Sequence, residues 1–124
     1  MDINFLIEEA ISAREKAVAP YSKYQVGAAL LTLQGTIIHG CNVESKAYPT
    51  TLCAERVAVF SAISQGFNQF KAMALVTEDG AMPCGSCRQI MFEFLGNIPI
   101  FVSDLDHNYQ TLQISDLLPY PFGK

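Results

Sequence analysis

Hydrophobic residues recur along this chain with two periods, and the switches between them lay out its elements. Over residues 2–19, Ile3, Leu6, Ile7, Ala10, Ile11, Ala17 and Val18 fall on one stripe while Glu8, Glu9, Arg14 and Lys16 lie mostly elsewhere. That spacing predicts an amphipathic helix, closed by Pro20. Residues 24–33 are mostly apolar, with Val26, Leu30 and Leu31, and Gln34-Gly35 then leads into Thr36-Ile37-Ile38-His39. Two strands about a tight turn form a hairpin. Residues 43–49 carry neither period and end in Pro49, so an ordered loop is expected there. A second helix is expected over about 51–65, burying Ala54, Val57, Ala58, Phe60, Ala62 and Ile63 and stopping at Gly66.

The second half repeats the alternation. Residues 71–77 form a short apolar run suited to a buried strand, 78–83 a loop, and 84–95 a helix ended by Gly96. A strand over 98–102, a turn over 104–108, an edge strand over 109–114 and a helical turn over 115–118 complete the chain. The fold class is therefore α/β, three α/β/α layers with a mixed five-stranded sheet and helices on both faces. With no linker, repeat or low-complexity segment, residues 1–124 are expected to form one domain.

Composition narrows this picture. Half the residues are hydrophobic and the mean hydropathy is +0.21, enough for a packed core and high for so small a soluble monomer. Surface hidden against other subunits is expected. The net charge is −4, and Arg14, Lys16, Lys23, Lys46, Arg56, Lys71, Arg88 and Lys124 are scattered singly. A polynucleotide path needs clustered cations, so no nucleic-acid partner is expected. The start Met1-Asp2-Ile3-Asn4 lacks the basic and apolar regions of a signal peptide, and no apolar run approaches a membrane span. A cytoplasmic protein is expected, in which four cysteines point to metal or redox chemistry rather than disulfides.

The chemistry concentrates in two stretches, Thr50-Thr51-Leu52-Cys53-Ala54-Glu55-Arg56 and Pro83-Cys84-Gly85-Ser86-Cys87-Arg88. Cys53, Cys84 and Cys87 can hold zinc and leave a fourth position for water, which is a catalytic arrangement. Both stretches fall at predicted helix starts, where unpaired N–H groups and the helix dipole favour thiolates. Cys84 and Cys87 share a helical face, whereas Cys53 and Glu55 are two apart and diverge on a regular helix. Cys53 must then sit before or within the first turn if both are to reach one site. Three thiolates and one zinc carry a net charge of −1, which opposes deprotonation of a bound water. Arg56 and Arg88, each beside a ligand cysteine, are the candidate donors that relieve it.

Plainer readings stand beside these. A C-x-x-C pair can be a redox dithiol, although that needs neither a third cysteine nor a carboxylate at another helix start. Cys41 reads as a small buried residue rather than a fourth ligand, and His39 and His107 as polar strand or turn residues. Glu55 suits a helix start as an acid, and its place beside a ligand adds the proton-carrying role. Each arginine also fits an ordinary surface ion pair.

Cys53-Ala54-Glu55-Arg56 with Pro83-Cys84-Gly85-Ser86-Cys87-Arg88-Gln89 resembles the zinc-dependent cytidine deaminases, specifically their small homotetrameric form with three cysteine ligands. The likeness extends to the 19–30 stretch, to Gly40-Cys41-Asn42-Val43-Glu44 and to the tail with Leu117-Leu118-Pro119 and Phe122-Gly123. The resemblance implies one zinc per subunit on Cys53, Cys84 and Cys87, with water attacking C4 of the pyrimidine. Glu55 would take its proton, protonate N3 and later deliver a proton to departing ammonia. It also implies that Asn42 and Glu44 bind the sugar hydroxyls, Tyr24 packs near the nucleoside where the family usually has phenylalanine, and the Ala54 backbone reads the base. Tyr48 and Phe122 would reach into a neighbouring subunit's site. The chain departs from the family over Ser45-Lys46-Ala47-Tyr48-Pro49, where a proline and a lysine reshape a loop that touches substrate. A deaminase of a variant cytosine nucleoside such as blasticidin S is thus one alternative, and a non-catalytic zinc module is another.

Overall fold

The computed structural model describes residues 1–123, apart from the Tyr48 side chain. Helix α1 (Ile3–Arg14) precedes a hairpin of β1 (Gly27–Thr32) and β2 (Ile37–Cys41). A 3-10 turn at Tyr48–Thr50 leads to α2 (Ala54–Ser64), β3 (Phe70–Val76), α3 (Gly85–Leu95), β4 (Pro99–Ser103), β5 (Tyr109–Gln113) and α4 (Ile114–Leu117). The strands order as β2-β1-β3-β4-β5, with β3 and β4 parallel and the other neighbours antiparallel. The expected mixed five-stranded sheet is present.

Successive strand residues point to opposite faces, and both faces here are apolar. On one, Leu6, Ile7 and Ala10 of α1 meet Ala29, Ala72, Ala74 and Val76. On the other, Ala58, Val59 and Ala62 of α2 and Met91 and Leu95 of α3 meet Leu30, Met73, Leu75 and Ile100. Three layers result, because each strand of the centre must be covered twice.

Two glycines set how close the layers come. A Cβ on Gly27 would lie 2.0 Å from the Ala10 carbonyl oxygen, and one on Gly40 would lie 2.3 Å from that of Ala54. The strand backbones therefore lie directly against α1 and α2, and Gly40 fixes where the first turn of α2 sits.

Two boundaries ahead of β2 differ from the expected ones. Helix α1 ends at Arg14 rather than near 19, because Val18 leaves the helix to pair with the 42–44 segment: Val18 N–H donates to Asn42 O at 2.9 Å and Glu44 N–H to Val18 O at 2.8 Å. Strand β1 begins at Gly27 rather than 24, because the Asn42 side chain takes over the ladder there. Its Oδ1 accepts from Val26 N–H at 2.9 Å and its Nδ2 donates to Tyr24 O at 2.8 Å.

Candidate active site

The three sulfurs converge because two helices begin at the same place. Cys53 and Cys84 are the N-cap residues of α2 and α3, both with extended backbone, and Cys87 lies in the first turn of α3. Cys53 thus precedes the helix while Glu55 lies inside it, which resolves the divergence expected of two residues on a regular helix. Helix α2 starts three residues later than expected because Leu52 is held in extended form. Val43 and Leu52 exchange two backbone hydrogen bonds of 3.0 Å, and Ser45 N–H donates to Thr51 Oγ1 at 3.0 Å.

The Cys53, Cys84 and Cys87 sulfurs all lie within 4.8 Å of one another. Cys53 Sγ and Cys84 Sγ are 3.7 Å apart, and Cys84 Sγ and Cys87 Sγ 3.2 Å. Tetrahedral zinc with Zn–S bonds of about 2.3 Å spaces its sulfurs by about 3.8 Å, so the donor set fits zinc with small adjustments. Cys41 stands outside this cluster at the end of β2, half-buried, its thiol pushed up chiefly by burial. Within the cluster, hydrogen bonding from the Cys87 thiol holds Cys53 below its ordinary range, aided by Cys84 and the Arg56 charge. The same pairing pushes Cys87 up.

Glu55 is 4% exposed. Burial pushes its carboxyl up to about 7, with the Cys53 charge adding to the rise. A carboxyl poised there can both take and give a proton near neutral pH. Arg56 donates from Nη2 to Ser86 Oγ at 2.6 Å, and its buried Nε has no hydrogen-bond partner among the described residues. A buried guanidinium whose charge acts on Cys53 suits an anionic cluster. Arg88, expected to donate to a sulfur, instead gives Nε to Pro83 O at 2.9 Å and Nη1 to Leu117 O at 3.0 Å. Its fork ties the loop before Cys84 to α4. Nothing in the sequence marked Ser86 as a partner of Arg56 or Leu117 as a partner of Arg88.

A cavity of about 310 Å³ opens onto the sulfurs, a volume suited to a small molecule. Asn42, Glu44, Tyr24 and Ala54, the residues the resemblance implies for substrate contact, line it together with Glu55. Glu44 accepts from the Tyr21 and Ser22 N–H groups at 3.0 and 3.1 Å and from the Ser22 hydroxyl, which holds its carboxyl below the usual range. Thr77 and Met82 line the cavity too, on a loop in which no motif marked them. Phe122 does not line it. The residue is 88% exposed, and its backbone is held by the Gln89 amide through bonds of 3.0 and 3.1 Å. The Tyr48 side chain lies outside the described residues.

A three-layer α/β/α sheet with three thiol donors, a buried carboxyl and an adjoining cavity defines a zinc-dependent hydrolytic enzyme. Residues 2–102 match the family described as the cytidine and deoxycytidylate deaminase zinc-binding region. A cytidine deaminase from Sporosarcina psychrophila is 49% identical over 127 residues, covering 100% of this chain and 93% of the relative. The crystal structure of a cytidine deaminase from Burkholderia pseudomallei superposes with a TM-score of 0.94 at 44% identity, covering 98% of this chain and all of that one. A blasticidin-S deaminase from Bacillus cereus is 27% identical over 124 residues, covering 90% of this chain and 88% of the relative. The chain belongs to the cytidine and deoxycytidylate deaminase family, and its cofactor is zinc.

Proposed function

We propose that this enzyme hydrolyses cytidine and 2′-deoxycytidine to uridine and 2′-deoxyuridine, releasing ammonia, as a step of pyrimidine salvage in the cytoplasm. The observation that carries the reading is the buried Glu55 carboxyl at the mouth of a three-sulfur cluster, opening onto a nucleoside-sized cavity. Cys53, Cys84 and Cys87 would hold the metal, and zinc when bound acts as a Lewis acid that makes water a nucleophile near neutral pH. Glu55 accepts the proton of the attacking water as the new C–O bond forms at C4 and passes it to N3. It then takes the remaining proton from the new C4 hydroxyl and passes it to the amino group, which leaves as ammonia as the C4–N bond breaks and the carbonyl forms. The Ala54 backbone at the start of α2 lies where the base is read. Asn42 and Glu44, already locked by their own hydrogen bonds, present their remaining capacity to the sugar hydroxyls.

Glu44 and Glu55 line the cavity, and among the described residues none of its lining is Lys or Arg, which supports a free nucleoside rather than a phosphorylated one. The 49% identity to the Sporosarcina psychrophila cytidine deaminase, against 27% to a blasticidin-S deaminase, supports ordinary cytosine nucleosides. We further infer a homotetramer with sites shared between subunits. The deciding experiment follows the absorbance of cytidine with zinc-loaded protein. Conversion to uridine, lost on chelation and regained with zinc, is expected. Zinc-loaded protein that leaves cytidine and 2′-deoxycytidine intact would overturn the reading, and turnover confined to blasticidin S would replace its substrate.

A further inference from the structure

Tyr24 differs from the other cavity residues in being tied across the cavity. Its hydroxyl donates to an Asp79 carboxylate oxygen, which also accepts from Thr77 Oγ1 at 3.2 Å. Asp79 sits on the loop between β3 and α3 that carries Met82 into the cavity wall and ends at Cys84. Hydrogen bonding between the 20–26 segment and the 77–83 loop runs through the Tyr24 phenol, which pairs with Asp79 and lies within reach of the Thr77 side chain.

Each end of this tie is anchored. Tyr24 N–H donates to Ser22 Oγ at 3.1 Å, its carbonyl accepts from Asn42 Nδ2 at 2.8 Å, and Ser22 in turn is held by Glu44. On the far side, Asp79 bridges Asp104 just past the end of β4, and Ala81 N–H donates to Thr77 Oγ1 at 2.9 Å. The Asp79 carboxyl is held below its usual range, first by the Tyr24 hydroxyl, so it is an ionised acceptor at neutral pH. The phenol and carboxylate both lie near solvent, where one hydrogen bond adds little to global stability. What the tie does fix is the gap between the wall bearing Asn42 and Glu44 and the wall leading to Cys84.

We propose that Tyr24 and Asp79 form a cross-brace that sets the spacing of the two cavity walls, making Asp79 a positioning residue for a substrate it does not touch. The inference rests on the nucleoside reading of the cavity and goes beyond it, because the brace resides in a phenol and a carboxylate that carry no part of the chemistry.

The test is a double-mutant cycle on zinc-loaded enzyme with cytidine, using Tyr24→Phe, Asp79→Ala and the pair together. Each single change is expected to raise KM about five- to tenfold with kcat changed by less than about twofold, the loss of one charge-assisted hydrogen bond used in positioning. The double variant should be no worse than the poorer single one. Asp79→Asn, whose amide oxygen still accepts, should recover most of the loss. Amide hydrogen exchange in the 77–83 loop should also rise in Tyr24→Phe, while the thermal midpoint stays within the spread of replicate melts. An unchanged KM, additive losses in the cycle, or unchanged loop exchange would each overturn the brace. Absence of cytidine turnover by the unaltered enzyme would instead overturn the functional reading, and loop exchange would still test the tie.

Discussion

Glu55 is a carboxyl that ordinary helix chemistry would leave at the surface, and here it is enclosed. Acids suit a helix start because of the dipole, but that preference needs no burial. Enclosing a carboxyl beside sulfurs costs stability, a cost that the proposed proton-carrying role would explain. Glu55→Gln keeps shape and hydrogen-bonding capacity while removing the proton-carrying group. We expect it to keep zinc at one ion per chain by metal analysis and to lose about 10²–10⁴-fold in kcat. Activity within twofold of the parent enzyme would sink the shuttle. The sulfurs and Glu55 were legible because their spacing at two helix starts has few other uses. The partners of Arg56 and Arg88 were not, because a guanidinium fork reaches residues far away in sequence. Arg88 meets Leu117 29 positions on, and only the docking of α4 against α3 brings them together.

At the scale of elements, the site is held by how closely α2 lies on β2. Ala54, Ala58 and Ala62 form a small-residue face on α2, and Gly40 lets the strand backbone come against it. A methyl at Gly40 meets backbone atoms, 2.3 Å from Ala54 O and 2.6 Å from Ala58 N, so no side-chain rotation relieves the clash. Gly40→Ala should therefore cost about 1–3 kcal/mol in a denaturant melt. It should also lower kcat more than its stability loss explains, because the displaced turn carries Cys53 and Glu55. A variant as stable as the parent would mean that α2 can shift freely and that the contact does not fix the site. The elements themselves could be read from periodicity, since the stripe of α1 and the short apolar runs of β3 and β4 each match one period. Their ends could not. Val18 continues the helical stripe but is drawn off by pairing with the 42–44 segment, and Tyr24 continues the apolar run but is held by the Asn42 side chain. Both are tertiary competitors that act across some twenty residues and leave no local mark.

For the whole molecule, the apolar excess of the composition has a visible location. Phe60 and Phe94 pack edge to face at 5.8 Å on the outer side of α2 and α3, each more than one-third exposed, and Ile63 lies half-bare on the same helix. The tail adds Tyr120 at 93% and Phe122 at 88% exposure. An untethered tail would give such rings no fixed direction, but the Gln89 amide grips Phe122 through both its N–H and its carbonyl, two residues on from Cys87. An exposed aromatic on a pinned backbone is arranged to enter another surface, and aromatic anchors of this kind dominate interfaces. In the proposed tetramer that surface is a neighbouring copy's cavity. Light scattering should give about four times the 13.6 kDa chain mass at micromolar concentration. Phe122→Ala should then raise KM for cytidine by about tenfold or more, the usual loss for a buried aromatic anchor. Two outcomes are separable. A dissociated variant would make the ring an assembly contact, whereas an intact tetramer with raised KM would make it part of the neighbour's substrate site. A monomeric parent enzyme with full activity would remove the shared-site arrangement altogether, leaving the tail rings without a role in catalysis.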